Sequence, residues 1–258
     1  MDIFITVVVC RIAGLGAGLG TGFAGMSAAV VISPMLITFL GVEPFEAIGI
    51  ALASDVLASA ISSFTYAKNK NIDIKNGIIM MISVLVFTVV GSLVSSLIPN
   101  GVLGGSSYLL TLFLGLKFII KPVTSTKEKL QQTSFKKQVI QSIIGGSIVG
   151  FICGFVGAGG GMMMLILLTM ILGYELKTAV GTSVFIMAFT ALTGSVSHFV
   201  ISGFPNMVIL GLCVAFTLVF ALIAAKIANK KEAKTLNRIV GIILTATAIT
   251  LILVNYLF

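Results

Sequence analysis

One long segment occurs twice in this chain, and the two copies align without a gap. Residues 14–49 match residues 146–181 at a constant offset of 132. The shared residues are mainly glycines: Gly14/Gly146, Gly18/Gly150, Gly22/Gly154, Gly25/Gly157, Gly41/Gly173 and Gly49/Gly181, with Phe23/Phe155, Glu43/Glu175 and Ala47/Ala179. Any fold of this chain therefore has to place two copies of one glycine-rich unit.

The composition places both copies in a membrane. Hydrophobic residues make up 58% of the 258 residues, charged residues only 9%, and the mean hydropathy is +1.18. One soluble core of this size would not bury so much apolar surface, whereas a lipid bilayer accepts it. We therefore expect an all-α integral membrane protein whose surroundings are the lipid bilayer.

The basic residues are confined to a few short connections. The net charge is +8, but most of the positive charge falls in the loops 67–77, 121–137 and 226–238. This distribution is typical of cytoplasmic loops, so we expect all three loops on the cytoplasmic side of a multi-pass protein in the cell membrane. Scattered short clusters of this kind do not indicate a nucleic-acid partner.

Each repeat begins with a stretch that suits neither one crossing nor two. The apolar segment 161–173 has thirteen residues, or about 20 Å of helix, which is too short to cross a bilayer alone. The stretches 3–41 and 139–173 therefore read as a helix, a glycine-rich tip and a shorter helix, followed in each repeat by three transmembrane helices. The glycine-rich segments 20–27 and 154–161 are named here the first tip and the second tip.

The basic loops favour one topology of this unit. If it crossed the membrane once, the two repeats would point the same way and loop 226–238 would lie opposite the other basic loops. If it turns back as a helical hairpin, the repeats are inverted and all three basic loops share one face. We expect the inverted arrangement, with a first membrane half at 1–120, a cytoplasmic linker at 121–137 and a second membrane half at 138–258.

The tips are the candidate binding site. A non-helical segment at membrane depth is tolerated only where protein buries it or where it lines a wet cavity. A helix start presents free N–H groups and a partial positive charge, and glycine lets a ligand approach the backbone. A small anionic substrate is therefore expected at the tips, contacted by Gly22, Gly25, Ser27, Gly157, Gly159, Gly160 and Gly161. The alternative is that the glycines serve close helix packing, which the four-residue steps of Gly14/Gly18/Gly22 favour.

Polar residues behind the tips are candidates for coupling or for a pathway. Asp55 shares a helical face with Ser59 and Ser63, and an acid inside a spanning helix costs about 2.5–3.5 kcal/mol on insertion scales. It could carry a coupling proton or serve as a structural partner. The second repeat offers Ser195 and His198, and Met187 replaces the acid. Arg11 has three interpretations: an anion contact, a partner of Asp55, or a side chain that reaches the membrane interface.

Other chemistries find little support. Histidine occurs once, and the three cysteines, Cys10, Cys153 and Cys213, lie in apolar segments. No metal site, disulfide or cofactor is expected from these residues. Ser183 and His198 are fifteen residues apart on one predicted helix, about 22 Å by its rise per residue, so they cannot form a hydrolytic pair. An enzyme is therefore not expected.

The duplicated motif resembles that of a known family. The tandem tips, the pattern Gly41, Glu43, Ala47, Gly49 and its copy Gly173, Glu175, Ala179, Gly181 are similar to the sulfite exporter TauE/SafE family over nearly the full chain. The resemblance implies transport of a sulfur-containing anion such as sulfite, a sulfonate or sulfoacetate. On the family pattern it also implies a role for residues 157–161 and for the step formed by Thr182 and Ser183. The first copy departs from that pattern, with Ile50 and Ala51 in place of Thr and Ser.

The expected function is secondary transport of such an anion. An inside-negative potential of 100 mV favours outward movement of one negative charge by about 2.3 kcal/mol, so export could be uncoupled whereas uptake needs coupling. A passive anion channel or facilitator and a non-transporting membrane subunit remain as alternatives. The sequence does not indicate an oligomeric state.

Overall fold

The protein is described by a computed structural model that covers residues 3–120, 135–157, 160–228, 230 and 233–257. The regular structure in these ranges is helical throughout. The helices are α1 Ile3–Ala24, α2 Ala29–Leu40, α3 Pro44–Lys68, α4 Ile74–Ser95, α5 Asn100–Ile120, α6 Phe135–Val156, α7 Gly160–Ile166 with a π-helical continuation Leu167–Ile171, α8 Leu176–Ser202, α9 Met207–Ala228 and α10 Ala233–Leu257.

The helices have the lengths and surfaces of membrane helices. Within the described ranges, α1, α3, α4, α6, α8 and α9 are each long and apolar enough to cross a bilayer. Their outer faces expose large apolar side chains such as Ile82, Val86 and Val196, whereas many of the serines and threonines lie inside. This distribution confirms the expected all-α integral membrane fold.

The duplication seen in the sequence is repeated in the backbone. Helices α1 and α6 have the same 22-residue length at the offset of 132. Each copy then has a left-handed glycine at the tip, Gly25 with φ +62° and Gly157 with φ +70°. A second left-handed glycine ends each short helix, Gly41 with φ +63° and Gly173 with φ +75°. Glycine adopts this conformation without strain, so these pairs define where both copies turn.

Each short helix runs back along the helix before it. A side chain added at Gly20 would meet Met26, and one added at Gly16 would lie 3.2 Å from Val31. In the second copy Gly160 faces Cys153, and Gly145 faces Leu167 in the π-helical continuation. Later residues of the second arm thus contact earlier residues of the first. Each repeat therefore starts with a glycine-tipped hairpin.

The stepped glycines join the two repeats. Gly14, Gly18 and Gly22 of α1 lie against α9, and Gly146, Gly150 and Gly154 of α6 lie against α4. A Cβ atom on Gly22 would lie 2.7 Å from both Ala221 O and Ala225 N, and one on Gly154 would meet the corresponding atoms of Thr88 and Ser92. The packing interpretation accounts for these six glycines, because a side chain would separate the helices.

The matched helices α3 and α8 pack side by side in opposite directions. Gly49 lies against Phe199, Gly194 against Leu52, and Gly181 against Tyr66. Early residues of α3 thus meet late residues of α8. This is the direction that inverted repeats require, while the orientation of the halves in a membrane stays a prediction, as does the division at residues 120 and 138. Most of the 121–137 linker lies outside the described residues.

Candidate functional site

The two tips meet each other in the middle of the protein. A Cβ atom on Gly25 would meet Ser183 and Val180 of α8, and one on Gly157 would meet Ile48 of α3. Ile48 and Val180 are matched residues of the two repeats, so each tip packs on the opposite half in the same way. The tips also touch directly, since a Cβ on Gly161 would meet Gly25 O and would lie 2.8 Å from Ser27 N.

The extent of each tip differs from the sequence-based expectation. Helix α1 continues through Ala24, so Gly22 lies in its last turn and packs on α9 rather than opening a helix. In the second tip, α7 begins at Gly160, and Gly159 lies outside the described residues. Close packing or a left-handed backbone conformation thus explains the presence of glycine at the described positions of the tips. Contact with a ligand at Gly22, Gly25, Gly157, Gly160 and Gly161 stays a prediction.

Asp55 lies at the first tip, beside the start of α2. Its side chain is fully buried, and Ser59 Oγ donates a 2.8 Å hydrogen bond to Asp55 Oδ1. The carboxyl group also faces the Ser27 hydroxyl and the Ala28 amide. The second oxygen, Asp55 Oδ2, makes no hydrogen bond with the described residues. An unpaired carboxylate oxygen in such a place calls for a proton or a ligand.

The equivalent place in the second repeat is apolar. Met187 stands where the first repeat has Asp55, and its Sδ atom lies 3.2 Å from a Cβ position built on Gly160. Cys153 is buried beside the same glycine and close enough to interact with the charge of Asp55. The backbones of the two tips are therefore alike, while the acid belongs to one of them.

Ser27 links the two tips. Its hydroxyl accepts the Ala29 amide at 3.3 Å, within the first turn of α2, and lies 3.5 Å from Gly157 O. Ser27 is fully buried. The hydroxyl is thus shared between the start of α2, the second tip and the carboxyl group of Asp55, which places it at the centre of the candidate site.

The polar residues of α8 are separated by the structure. Thr182 Oγ1 accepts the Asp73 amide at 3.0 Å, outside the tips. Ser183 Oγ donates to Val180 O of its own helix at 2.8 Å, at the contact with Gly25. Ser195 Oγ donates to Leu192 O at 3.0 Å. Only Ser183 of these three therefore adjoins a tip, and a ligand role for Thr182 would require the α3–α4 turn to move.

Arg11 and Asp55 are not partners. Arg11 is exposed on α1, whereas Asp55 is fully buried and its partners are uncharged donors. The exposure favours the interpretation that Arg11 extends along the lipid-facing surface to the interface. Ser63, which shares the face of Asp55, is also buried.

His198 and Tyr66 make contacts that match between the two repeats. Of these two residues, only His198 was a candidate from the sequence. His198 Nε2 lies 3.1 Å from Gly154 O, and its Nδ1 lies 3.2 Å from Phe45 O. Tyr66 Oη donates to Gly22 O at 3.1 Å. The offset of 132 relates Tyr66 to His198 and Gly22 to Gly154. In each repeat, a side chain of the third helix, α3 or α8, thus contacts a carbonyl in the last turn of the first helix. The offset between the two copies could have predicted this pair of contacts.

A second polar cluster lies at the C-terminal end of α3, near the loop 67–77. Asp73 caps α4 by accepting the Asn76 amide at 3.1 Å, and Tyr174 Oη donates to Asp73 Oδ2 at 3.0 Å. Burial, together with the negative charge of Asp73, raises the pKa of Tyr174. An acid just before an apolar helix is a capping signal that could have been recognised from the sequence. The cluster ties the end of the second hairpin to α4.

The candidate site is closed in this conformation. Ser27, Ala28, Asp55 and Ser59 have no exposed surface, so a ligand can enter only after the helices around the tips move. The described residues include no group of three or more side chains suited to hold a metal ion. The chemistry that the site offers is hydrogen-bond donation at the start of α2 beside one acid.

These observations define a class of protein: a multi-pass membrane protein whose two glycine-tipped hairpins meet at a buried polar centre. The family model described as "Sulfite exporter TauE/SafE" matches residues 10–251. The chain therefore belongs to the sulfite exporter TauE/SafE family of membrane transporters, which confirms the resemblance seen in the sequence.

Bacterial relatives carry names of the same kind. The chain is 30% identical to the "Probable membrane transporter protein YunE" of Bacillus subtilis over 95% of both chains. It is 26% identical to the "Probable membrane transporter protein YdhB" of the same organism, over 82% of this chain and 86% of the relative. A "Probable membrane transporter protein" of Haemophilus influenzae is 24% identical over 79% of this chain and 77% of its own length. No solved structure matches the chain.

Proposed function

We propose that this protein is a secondary transporter that moves a small sulfur-containing anion, of the sulfite, sulfonate or sulfoacetate type, across the cytoplasmic membrane. The proposal takes the substrate class from the family description and the site from the structure. The observation that carries it is the buried meeting of the two tips beside the start of α2 and Asp55. The protein acts without a cofactor and is not an enzyme.

The start of α2 is suited to an anion. Helix α2 has twelve residues, enough to develop a positive end, and the Ala28 amide and Ser27 hydroxyl are available on the side of Asp55. Sulfite and sulfonates present oxygen acceptors of the size that such a helix start binds. The left-handed glycine Gly25 forms the turn just before these donors, and Gly157 forms the matching turn of the second tip.

Asp55 supports coupling to protons. The acid lies where the substrate anion is proposed to bind, and its neighbours in the described part of the chain, Ser59, Ser27 and the Ala28 amide, are uncharged. A buried acid without a cationic partner is a typical proton carrier in membrane proteins. We therefore include a proton on Asp55 in the transport cycle.

The membrane orientation follows from the basic loops. In the proposed orientation the loops 67–77, 121–137 and 226–238 face the cytoplasm, as the inverted arrangement of the repeats requires. The tips then lie near the middle of the membrane, between the two halves. Both directions of transport are compatible with this geometry.

Flux measurements in liposomes test the proposal. Purified protein reconstituted into liposomes should move sulfite or a sulfonate, and an imposed pH gradient should change the rate. Gly161→Leu should abolish flux, because the side chain would meet the backbone of the first tip, whereas Gly211→Ala, at a position with nothing within 4 Å, should leave it unchanged. Flux that ignores the pH gradient would indicate a passive facilitator. The absence of flux for every small anion would overturn the proposal in favour of a non-transporting subunit.

A further inference from the structure

The donors at the start of α2 already face an acidic side chain of the protein itself. Asp55 Oδ1 accepts the Ser59 hydroxyl at 2.8 Å, and the carboxyl group faces the Ser27 hydroxyl and the Ala28 amide. The Ser59 hydroxyl is hydrogen-bonded to the carboxyl group, and the other two neighbours are uncharged groups that can donate to it. A set of donors at a helix start stabilises a carboxylate in the same way as it would stabilise a bound anion.

A cation does not suit this place. The positive end of α2 and the Ala28 amide would repel it, and Gly157 O, the nearby carbonyl, lies against the Ser27 hydroxyl at 3.5 Å. Among the described residues, the titratable group that interacts with Asp55 is Cys153 of α6. Ser27, on the segment leading into α2, and Met187, the matched residue of α8, are uncharged. The charge of Asp55 is therefore balanced by the helix start.

Two anions cannot use these donors together. A transported anion at Ser27 and Ala28 would lie beside the Asp55 carboxylate in a site closed to water, and buried like charges at short distance do not both persist. Protonation of Asp55 removes this conflict. Its free oxygen, Oδ2, can take the proton while Oδ1 keeps the hydrogen bond from Ser59.

We propose that Asp55 is an internal anion that holds the α2 donors while the site is empty, and that a transported anion takes these donors only when Asp55 is protonated. This inference rests on the proposed anion site and adds a stoichiometry of one proton to each bound anion. A monoanion that moves together with this proton carries no net charge. The membrane potential then does not drive its transport, whereas the pH gradient does.

Among the described residues, the second tip faces no such acid, because Met187 stands at the position that matches Asp55. The inference therefore assigns the proton count to Asp55. Asp55→Asn leaves an uncharged side chain of similar size, so this variant should bind the anion without taking up a proton. Asp73→Asn, which changes an acid outside the tips, is the matched control.

Proton uptake on binding tests the inference. Methanesulfonate, whose charge is constant between pH 5 and 8, would be titrated by calorimetry into the purified full-length protein in two buffers of different ionisation enthalpy. We expect about one proton taken up per anion bound, and an affinity that falls about tenfold per pH unit once Asp55 ionises. Asp73→Asn should behave like the unchanged protein, and Asp55→Asn should bind with no proton uptake at a constant affinity.

The outcomes separate the two proposals. Binding by the unchanged protein without proton uptake, or equal uptake by Asp55→Asn, overturns the role of Asp55 and leaves the anion site standing. The absence of binding to every variant overturns the anion site and this inference with it. The proton count of the unchanged protein decides the matter even where Asp55→Asn does not fold.

Discussion

The two hairpins of this protein share one backbone and differ in chemistry. In both, a left-handed glycine closes the tip, a row of glycines packs on the fourth helix of the other repeat, and a side chain 44 residues further along the sequence bonds the last turn of the first arm. Among the described residues, only the first hairpin faces a buried acid, Asp55. The glycines therefore maintain the architecture, whereas the asymmetric residues, Asp55 in the first repeat and Met187 in the second, distinguish the candidate chemistry of the two tips.

The largest expected effect concerns the orientation of the two halves. If they are inverted, a cysteine at Lys75 and one at Lys230 both react with an impermeant thiol reagent from the cytoplasmic side only. A cysteine at Phe204, in the exposed turn between α8 and α9, should react from outside. The native cysteines are buried and should give little background. Labelling of Lys230→Cys from outside would overturn the inverted arrangement.

The stepped glycines of α1 and α6 should be equally sensitive to substitution in both repeats. Gly22→Ala and Gly154→Ala each force a methyl group against the backbone of the facing helix, so each should lower the free energy of unfolding by about 1–3 kcal/mol. Chemical denaturation in detergent measures this loss.

Gly211→Ala is the control for these variants, because its Cβ would meet nothing within 4 Å. It should match the unchanged protein or be slightly more stable. A loss of stability in only one of the two variants, Gly22→Ala or Gly154→Ala, would show that the two repeats do not pack alike.

The caps of α4 and α9 provide a smaller contrast. Asp73 accepts the Asn76 amide at 3.1 Å, and Asn206 accepts the Val208 amide at 3.0 Å. Replacement of either by alanine should cost about 1 kcal/mol. The loss should be greater for Asp73, because Tyr174 also donates to it. Tyr174→Phe should reduce this excess, part of which remains because Asn76 Nδ2 also donates to Asp73 Oδ2 at 2.7 Å. Equal losses in both alanine variants would contradict this ranking.

The smallest effect should come from the bonds to the last turns of α1 and α6. Tyr66→Phe removes one hydrogen bond, worth about 0.6 kcal/mol on average in membrane proteins. His198→Leu removes the N–H that can donate to one of the carbonyls of Gly154 and Phe45, together with the ring contact with Phe45, and should cost more. Thermal unfolding in detergent would rank the two variants. A greater loss for Tyr66→Phe would show that the matched bonds are not comparable.

Much of the architecture was predictable because it depends on local pattern. The short segment 161–173 indicated a returning arm, and the chain turns back at both tips. The first tip was placed too early, since α1 continues to Ala24. The glycines of α1, which would weaken a helix in water, are tolerated here because α9 packs directly on them. That packing partner lies about two hundred residues away along the chain.

The candidate site was only partly accessible to such reasoning. Asp55 and Ser59 stood out through their spacing on one helical face. The spacing did not show that Ser27 and Ala28 face the same carboxyl group, nor that Thr182 bonds the backbone of Asp73 instead of joining the tips. These contacts join residues from different helices.

By itself, the sequence determined that this is a duplicated membrane protein with broken helices, because hydrophobicity and glycine spacing act over a few turns of chain. It also identified the family. Only the tertiary structure decided which helices the stepped glycines approach, that the two tips touch, and that the start of α2 faces Asp55. The physical reason is that these features arise where the two repeats interlock, through contacts between residues far apart in sequence.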